Sequence, residues 1–276
     1  MKTIDLEYQR GPGGPLLARI YQPEGPGPFP CIVDVHGGGW GAGDRLNNAG
    51  MNQSLAQSGI VVAALDFRLA PEGAFPASVA DVNLGIRWLK ANAASFGSTP
   101  ELVGGLGTSS GGHQLLLNVL RPRDPLYASL GQDRYAEWDA SLRYVVACWP
   151  VADPWARFVM ARRLEKANLV RSHAAYWASD EDMKLGNPQR IVESRQFTHL
   201  PPVLILQGTA DDNLTPDMAE RFAAAYRAAG GEVEALSFAG QPHAFIIRAP
   251  DAAASIEAMA AIESFIKRHS AAATDV

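Results

Sequence analysis

Three positions carry residue types whose neighbours suit nucleophilic acyl transfer: Ser109, Asp211 and His243. Ser109 stands in Gly107-Thr108-Ser109-Ser110-Gly111, directly after an apolar run and ahead of a helical one. Glycines two before and two after the serine permit a tight strand-to-helix turn, which lifts the hydroxyl above a sheet in a strained backbone conformation. A hydroxyl needs a base, and His243 in Gly240-Gln241-Pro242-His243-Ala244-Phe245 follows the last predicted strand, where a loop can carry an imidazole over the sheet edge. The other histidines, at 36, 113, 173, 199 and 269, read as loop-ordering, surface or packing residues. An acid should orient the base. Gly208-Thr209-Ala210-Asp211-Asp212-Asn213 supplies Asp211, with Asp212 as its neighbouring alternative and Asp153 as a more distant one. The chain order is then Ser, Asp, His.

Acyl transfer also needs donors aimed at a developing oxyanion. His36-Gly37-Gly38-Gly39-Trp40 follows the apolar run ending at Val35, and its glycines let backbone N–H groups approach closely. Gly38 and Gly39, with the N–H of Ser110, are the expected donors. A competing reading takes Gly105, Gly107 and Gly111 as a dinucleotide fingerprint. It fits poorly, because the motif lies deep in the chain and the acid expected about 20 residues on is Asp124 in a Pro-flanked loop.

These residues need a scaffold, and short apolar runs alternating with helical periods predict an α/β fold whose mostly parallel sheet is covered by helices on both faces. Expected strands are Cys31 to Val35, Ile60 to Phe67, Leu102 to Leu106, Tyr144 to Trp149, Val203 to Leu206 and Val233 to Phe238. Ile4 to Tyr8 and Leu16 to Tyr21 should add an antiparallel edge, giving eight strands in all. Core-facing helix stripes are expected at Val79, Val82, Ile86 and Leu89, at Ala219, Phe222 and Tyr226, and at Ile256, Met259 and Ile266. Residues 121–200 break the rhythm. They hold four of the six tryptophans and two short Arg-rich helical patches around Arg157 to Lys166, and read as a cap insertion over the site.

The 276 residues, 47% of them hydrophobic, suit a single domain over 1–276. A net charge of −5 with scattered Lys and Arg offers no basic stripe, so neither nucleic acid nor a membrane is an expected partner. Cys31 and Cys148 sit inside strand-like runs and read as reduced core thiols. The first ten residues alternate like a strand and lack a signal-peptide stretch, which points to the cytoplasm. No Cys/His/carboxylate spacing suggests a metal, and no cofactor is expected. Trp40, Trp149, Trp155 and Trp177 flank the site in sequence and are candidates for a substrate pocket or for packing the cap.

The stretches His36 to Trp40, Arg68-Leu69-Ala70-Pro71-Glu72 with Phe75-Pro76, Gly107 to Gly112, Gly208 to Asp211, and His243 resemble the α/β-hydrolase superfamily. Within it they are similar to hormone-sensitive-lipase-like bacterial carboxylesterases and to acetylxylan/feruloyl-esterase-like hydrolases. The resemblance spans nearly the whole chain. It implies cofactor-free hydrolysis of small carboxylic esters through an acyl-enzyme. Thr108 and Ser110 replace the Asp and Ala usual in the lipase-like elbow, and that group's N-terminal helical cap is missing. The acid loop is also similar to that of prolyl-oligopeptidase-type peptidases. Rival readings are an amidase such as an aryl formamidase, an acyl-amino hydrolase, a lyase, and a non-catalytic scaffold that binds a small molecule.

Overall fold

Segments in which no polar residue alternates with the apolar ones fit strands covered on both faces. In the computed structural model, which describes residues 1–11 and 13–271, these segments form the centre of one eight-stranded sheet. The strands are β1 (Lys2–Gly11), β2 (Gly14–Gln22), β3 (Cys31–Val35), β4 (Val61–Leu65), β5 (Val103–Thr108), β6 (Val145–Cys148), β7 (Val203–Gly208) and β8 (Val233–Phe238), ordered β1-β2-β4-β3-β5-β6-β7-β8. All neighbours from β4 to β8 pair in parallel, while β1 and β2 form the antiparallel edge. Every residue of β3 to β6 is buried, whereas β8 alternates as an edge strand should.

The helices are α1 (Ala49–Gln57), α2 (Ala77–Asn92), α3 (Ser110–Leu120), α4 (Gln132–Tyr135), α5 (Pro154–Arg163), α6 (Ala167–Tyr176), α7 (Asp180–Leu185), α8 (Pro188–Glu193), α9 (Met218–Ala228), α10 (Phe245–Arg248) and α11 (Ala253–Ser270). α1, α10 and α11 pack together on one face, and α2, α3, α8 and α9 on the other. Two expectations change. The stripe on α11 is Ser255, Ala258, Ile262, Phe265 and Ile266, while Ile256 is exposed. Ile266 is buried and Met259 packs against the core as expected, so the stripe departs from expectation only at the start of the helix, where the small residues Ser255 and Ala258 face inward in place of Ile256. Residues 121–200 also do not form one excursion, because β6 runs through them. The stretch before it holds α4, and the stretch after it holds α5 to α8.

One buried acid ties the central sheet to the site. Asp34 of β3 accepts from Asn48 Nδ2 (2.8 Å) and Asn52 Nδ2 (2.6 Å), and Asn48 also reaches Thr108 Oγ1 at 3.4 Å. Burial pushes the Asp34 carboxyl up to about 6, against the lowering effect of the Asn52 and Asn48 hydrogen bonds. The folded state therefore prefers the protonated acid. Its contribution to stability is complete below the ordinary value of 3.8 and is lost as pH rises through about 6. Asp34→Asn removes this dependence. Urea melts at pH 5 and pH 8 should show wild type losing about 1.4 kcal/mol relative to the variant, because the rest of the effect lies below pH 5. Parallel pH dependences for the two proteins would contradict it.

Candidate active site

Ser109 sits between β5 and α3 with φ +52° and ψ −118°, a conformation that side-chain-bearing residues rarely adopt. The turn tolerates little bulk. A Cβ on Gly111 would lie 2.0 Å from the Val35 carbonyl oxygen, and one on Gly107 would lie 2.8 Å from Gly112 Cα. Backbone bonds hold the strained residue: its N–H donates to Cys148 O (2.9 Å), and its carbonyl accepts from Val151 N (3.1 Å) and His113 N (3.2 Å).

The loop after β8 brings His243 to the serine, with Nε2 2.9 Å from Ser109 Oγ. Its Nδ1 lies 2.7 Å from Asp211 Oδ2. The two loops are stitched together by Ala210 N to Gln241 O (3.0 Å) and Gly240 N to Thr209 Oγ1 (2.9 Å). Asp211 also accepts from Gln207 Nε2 on Oδ2 and from Asn213 N on Oδ1, each at 2.8 Å. Burial pushes its pKa up, but the His243 contact and these hydrogen bonds outweigh burial and leave it below the ordinary carboxylate value. Asp211 thus stays ionised beside the imidazole. Asp212 points outward, exposed and paired with Lys166 (2.8 Å), and Asp153 caps α5 through Ala156 N (3.0 Å) and binds Asn187 Nδ2 (2.9 Å). Neither reaches His243.

The glycine loop after β3 faces the serine. A Cβ on Gly37 would come within 3.1 Å of Ser109 Cβ, and Gly38 and Gly39 have φ of +122° and +60°. Trp40 N donates to Ser110 Oγ (3.2 Å), Ala70 N donates to Trp40 O (2.9 Å), and Ser172 Oγ of α6 donates to Gly39 O. Because a Cβ on Gly38 would strike the Ala42 carbonyl oxygen at 2.0 Å, Gly38→Ala must displace the loop. We expect about 1–3 kcal/mol of lost stability from the strained φ and a fall in kcat. Thermal melts and initial rates check both, and wild-type values in both would show that the loop tolerates a side chain.

A cleft of about 360 Å³ lies over Ser109, lined by Gly37 to Gly39, Asn47, Asn48, Trp149, Arg157, Leu169, Ser172, Asn213, His243 and Ile247 among others. Of the four candidate tryptophans, Trp149 lines it, with its ring edge-on to His243 at 6.2 Å. Trp40, Trp155 and Trp177 do not. Trp40 turns inward at φ +64°, stacks on Tyr176 (4.8 Å, 5°) and donates to His113 Nδ1 (3.2 Å). Trp177 packs on Phe75 and Trp40, and Trp155 on Phe158. Trp40 and Trp177 join the helices after β6 to the loops of the sheet domain, whereas Trp155 stays among those helices, with Lys184 of α7 over its ring. Sequence reading passed over Asn47, Asn48, Leu169, Ser172, Asn213 and Ile247, and saw Arg157 merely as part of an Arg-rich patch. Asn213, two residues past Asp211, was the one with a local signal. His36 stacks on Phe67 (4.3 Å) and keeps Nδ1 on Gly37 O (2.6 Å), a loop-ordering role. Among the described residues, one cluster has metal-ligand types, Glu232, Glu234 and His269, and none of these lines the cleft.

The family model that matches this chain is BD-FAE, and it covers residues 19–226. The chain belongs to the BD-FAE family. The carboxylic ester hydrolase LipN of Mycobacterium tuberculosis (strain ATCC 25618 / H37Rv) is 28% identical over 94% of this chain and 69% of its own. A probable isoprenylcysteine alpha-carbonyl methylesterase of Arabidopsis thaliana is 23% identical over 79% of this chain and 46% of its own. This BD-FAE chain spans about half the length of most of the curated relatives it matches. An esterase structure from Pyrobaculum calidifontis superposes with a TM-score of 0.79 at 25% identity, covering 98% of this chain and 86% of that one. A propionate-bound esterase from Thermogutta terrifontis gives 0.79 at 23% identity, covering 99% and 97%. No helix among the described residues is long and apolar enough to cross a membrane.

Proposed function

We propose that this protein is a serine carboxylesterase that hydrolyses small esters through an acyl-enzyme. The observation that carries the reading is the unbroken contact chain from Ser109 Oγ through His243 to Asp211 Oδ2 at 2.9 and 2.7 Å. Ser109 Oγ attacks the ester carbonyl as His243 Nε2 takes its proton, and Asp211 holds the imidazolium. The N–H groups of Gly38, Gly39 and Ser110 bind the oxyanion. Collapse breaks the C–O bond, and the alcohol leaves with the proton from His243. Water, deprotonated by the same imidazole, then attacks the acyl-enzyme and releases the acid and free Ser109. The relatives named above, a carboxylic ester hydrolase and a probable methylesterase, support this reading. A cleft near the lower end of ligand-pocket volumes favours small substrates. The free, buried thiols of Cys31 and Cys148 suit a reducing compartment, and we assign the enzyme to the cytoplasm.

The test pairs p-nitrophenyl acetate, butyrate and octanoate with a matched anilide, alongside fluorophosphonate labelling mapped by mass spectrometry. Short-ester turnover with the label on Ser109 is the expected result. Anilide turnover without ester turnover would favour an amidase, and an unlabelled, inactive protein would mark a binding scaffold.

A further inference from the structure

The mechanism above uses the glycine loop, the serine and the imidazole but leaves one charged residue of the same cleft without a task. Arg157 of α5 is 2% exposed, yet it contributes to the cleft lining. Among the described residues no carboxylate lies within ion-pair distance of its guanidinium. Asp211 is the acid whose charge it feels, and that carboxylate is committed to His243. Its partners are neutral. Nε donates to the backbone and side-chain oxygens of Asn213 (3.1 and 3.2 Å), Nη2 donates to Asn213 Oδ1, and Nη1 lies 3.1 Å from His173 Nε2. His173 is pushed down to about 2 by burial and by the neighbouring Arg157 and His113, so it accepts as a neutral ring. The Trp40 face lies 5.6 Å from the guanidinium carbon. These contacts engage three of the five N–H donors and leave one on each Nη. A buried cation without a counter-charge is costly, and a guanidinium fork matches a carboxylate in two parallel hydrogen bonds.

We infer that Arg157 is a specificity-determining residue and that the preferred substrates are esters bearing a carboxylate on the acyl or the alcohol part, which docks on its free donors. This rests on the esterase reading of the cleft. In the same cleft, Leu169 and Ile247 offer apolar surface for the uncharged portion. The fork also holds Asn213, whose N–H steadies Asp211, so loss of Arg157 could lower all turnover alike. The informative quantity is therefore a ratio within one protein.

Initial rates would be measured on monoethyl glutarate against ethyl pentanoate, and on 3-acetoxybenzoate against 3-methylphenyl acetate, for wild type, Arg157→Lys and Arg157→Met. Wild type should favour the carboxylate member of at least one pair by about tenfold or more in kcat/KM. The pair that responds shows which side of the ester is charged. The ratio should fall to one or below in Arg157→Met and lie between in Arg157→Lys, whose ammonium lacks the fork. A purely structural arginine would lower both members and leave the ratio unmoved, which overturns the inference. So does a wild type that takes the fluorophosphonate label on Ser109 but prefers the neutral member of both pairs or hydrolyses neither. An unlabelled wild type that hydrolyses none of the four removes the esterase reading itself, and this inference with it.

Discussion

Ser109→Ala is expected to lower ester turnover by about 10⁵–10⁶-fold while leaving the protein folded. The size follows from the contact chain: without Oγ there is no acyl-enzyme, and His243 has nothing to deprotonate except water. What remains is the acceleration that oxyanion donors and binding provide alone, about 10³–10⁴ over water. The fold should survive because the hydroxyl bonds to His243 and to no core group, and alanine shares the strained φ of +52° at equal cost. Initial rates, active-site titration to exclude wild-type carry-over, and a thermal melt decide it. Turnover within tenfold of wild type would remove Ser109 from the reaction.

Asp211→Asn should cost about 10⁴-fold in kcat, whereas Asp212→Asn should cost less than twofold. The asymmetry comes from the donors that converge on Asp211. The backbone N–H of Asn213 points at Oδ1 and cannot rotate away, so an asparagine must turn its oxygen there and its NH₂ toward the Oδ2 position. Gln207, whose Oε1 is buried without a partner, can flip to accept from that NH₂. His243 would then face a donor at Nδ1 and carry its proton on Nε2, where it cannot accept from the serine. Asp212 is exposed and bound to a surface lysine, so its loss removes a screened ion pair. Equal losses in the two variants would reassign the orienting acid.

Much of this site could be read from the chain because its chemistry sits in short motifs at strand ends. Gly107 to Gly111, His36 to Trp40 and Gly208 to Asn213 each lie at the end of a strand that announces itself as a mainly apolar run, broken in β3 only by Asp34, and a parallel sheet brings the carboxyl ends of its strands together. The strands near 31–35, 203–206 and 233–238 were accordingly anticipated within two residues. The acid could not be singled out locally, since Asp211 and Asp212 are adjacent and differ in which way the loop turns them. The tryptophans misled for a similar reason. Position along the chain does not say whether an indole faces the cleft: Trp40 and Trp149 both have positive φ, and only Trp149 lines it. Arg157, Leu169 and Ser172 came from a region without local signal, because what matters there is how α5 and α6 fold back over the sheet. On α11, small residues rather than Ile256 marked the buried face.

The stacking of Trp40 on Tyr176 bears on how substrate gets in. Tyr176 is itself fastened, its carbonyl accepting from Phe75 N (3.0 Å) and its hydroxyl 3.1 Å from Ser78 Oγ, which takes a hydrogen bond from Gln114 Nε2 (2.6 Å). The helix over the cleft, α6, is thus bolted to the same frame that carries the glycine loop, and swinging it outward would break the Trp40–Tyr176 stack and the Ser172 to Gly39 hydrogen bond. Neighbouring grooves instead continue from the cleft past Asn47 and Ile247 on one flank and past Leu169 and Asn213 on the other. Traffic through these flanks needs no slow opening motion of the microsecond-to-millisecond kind that limits many lidded enzymes. The two flanks, rather than a hinged cap, are thus the open routes between the cleft and solvent.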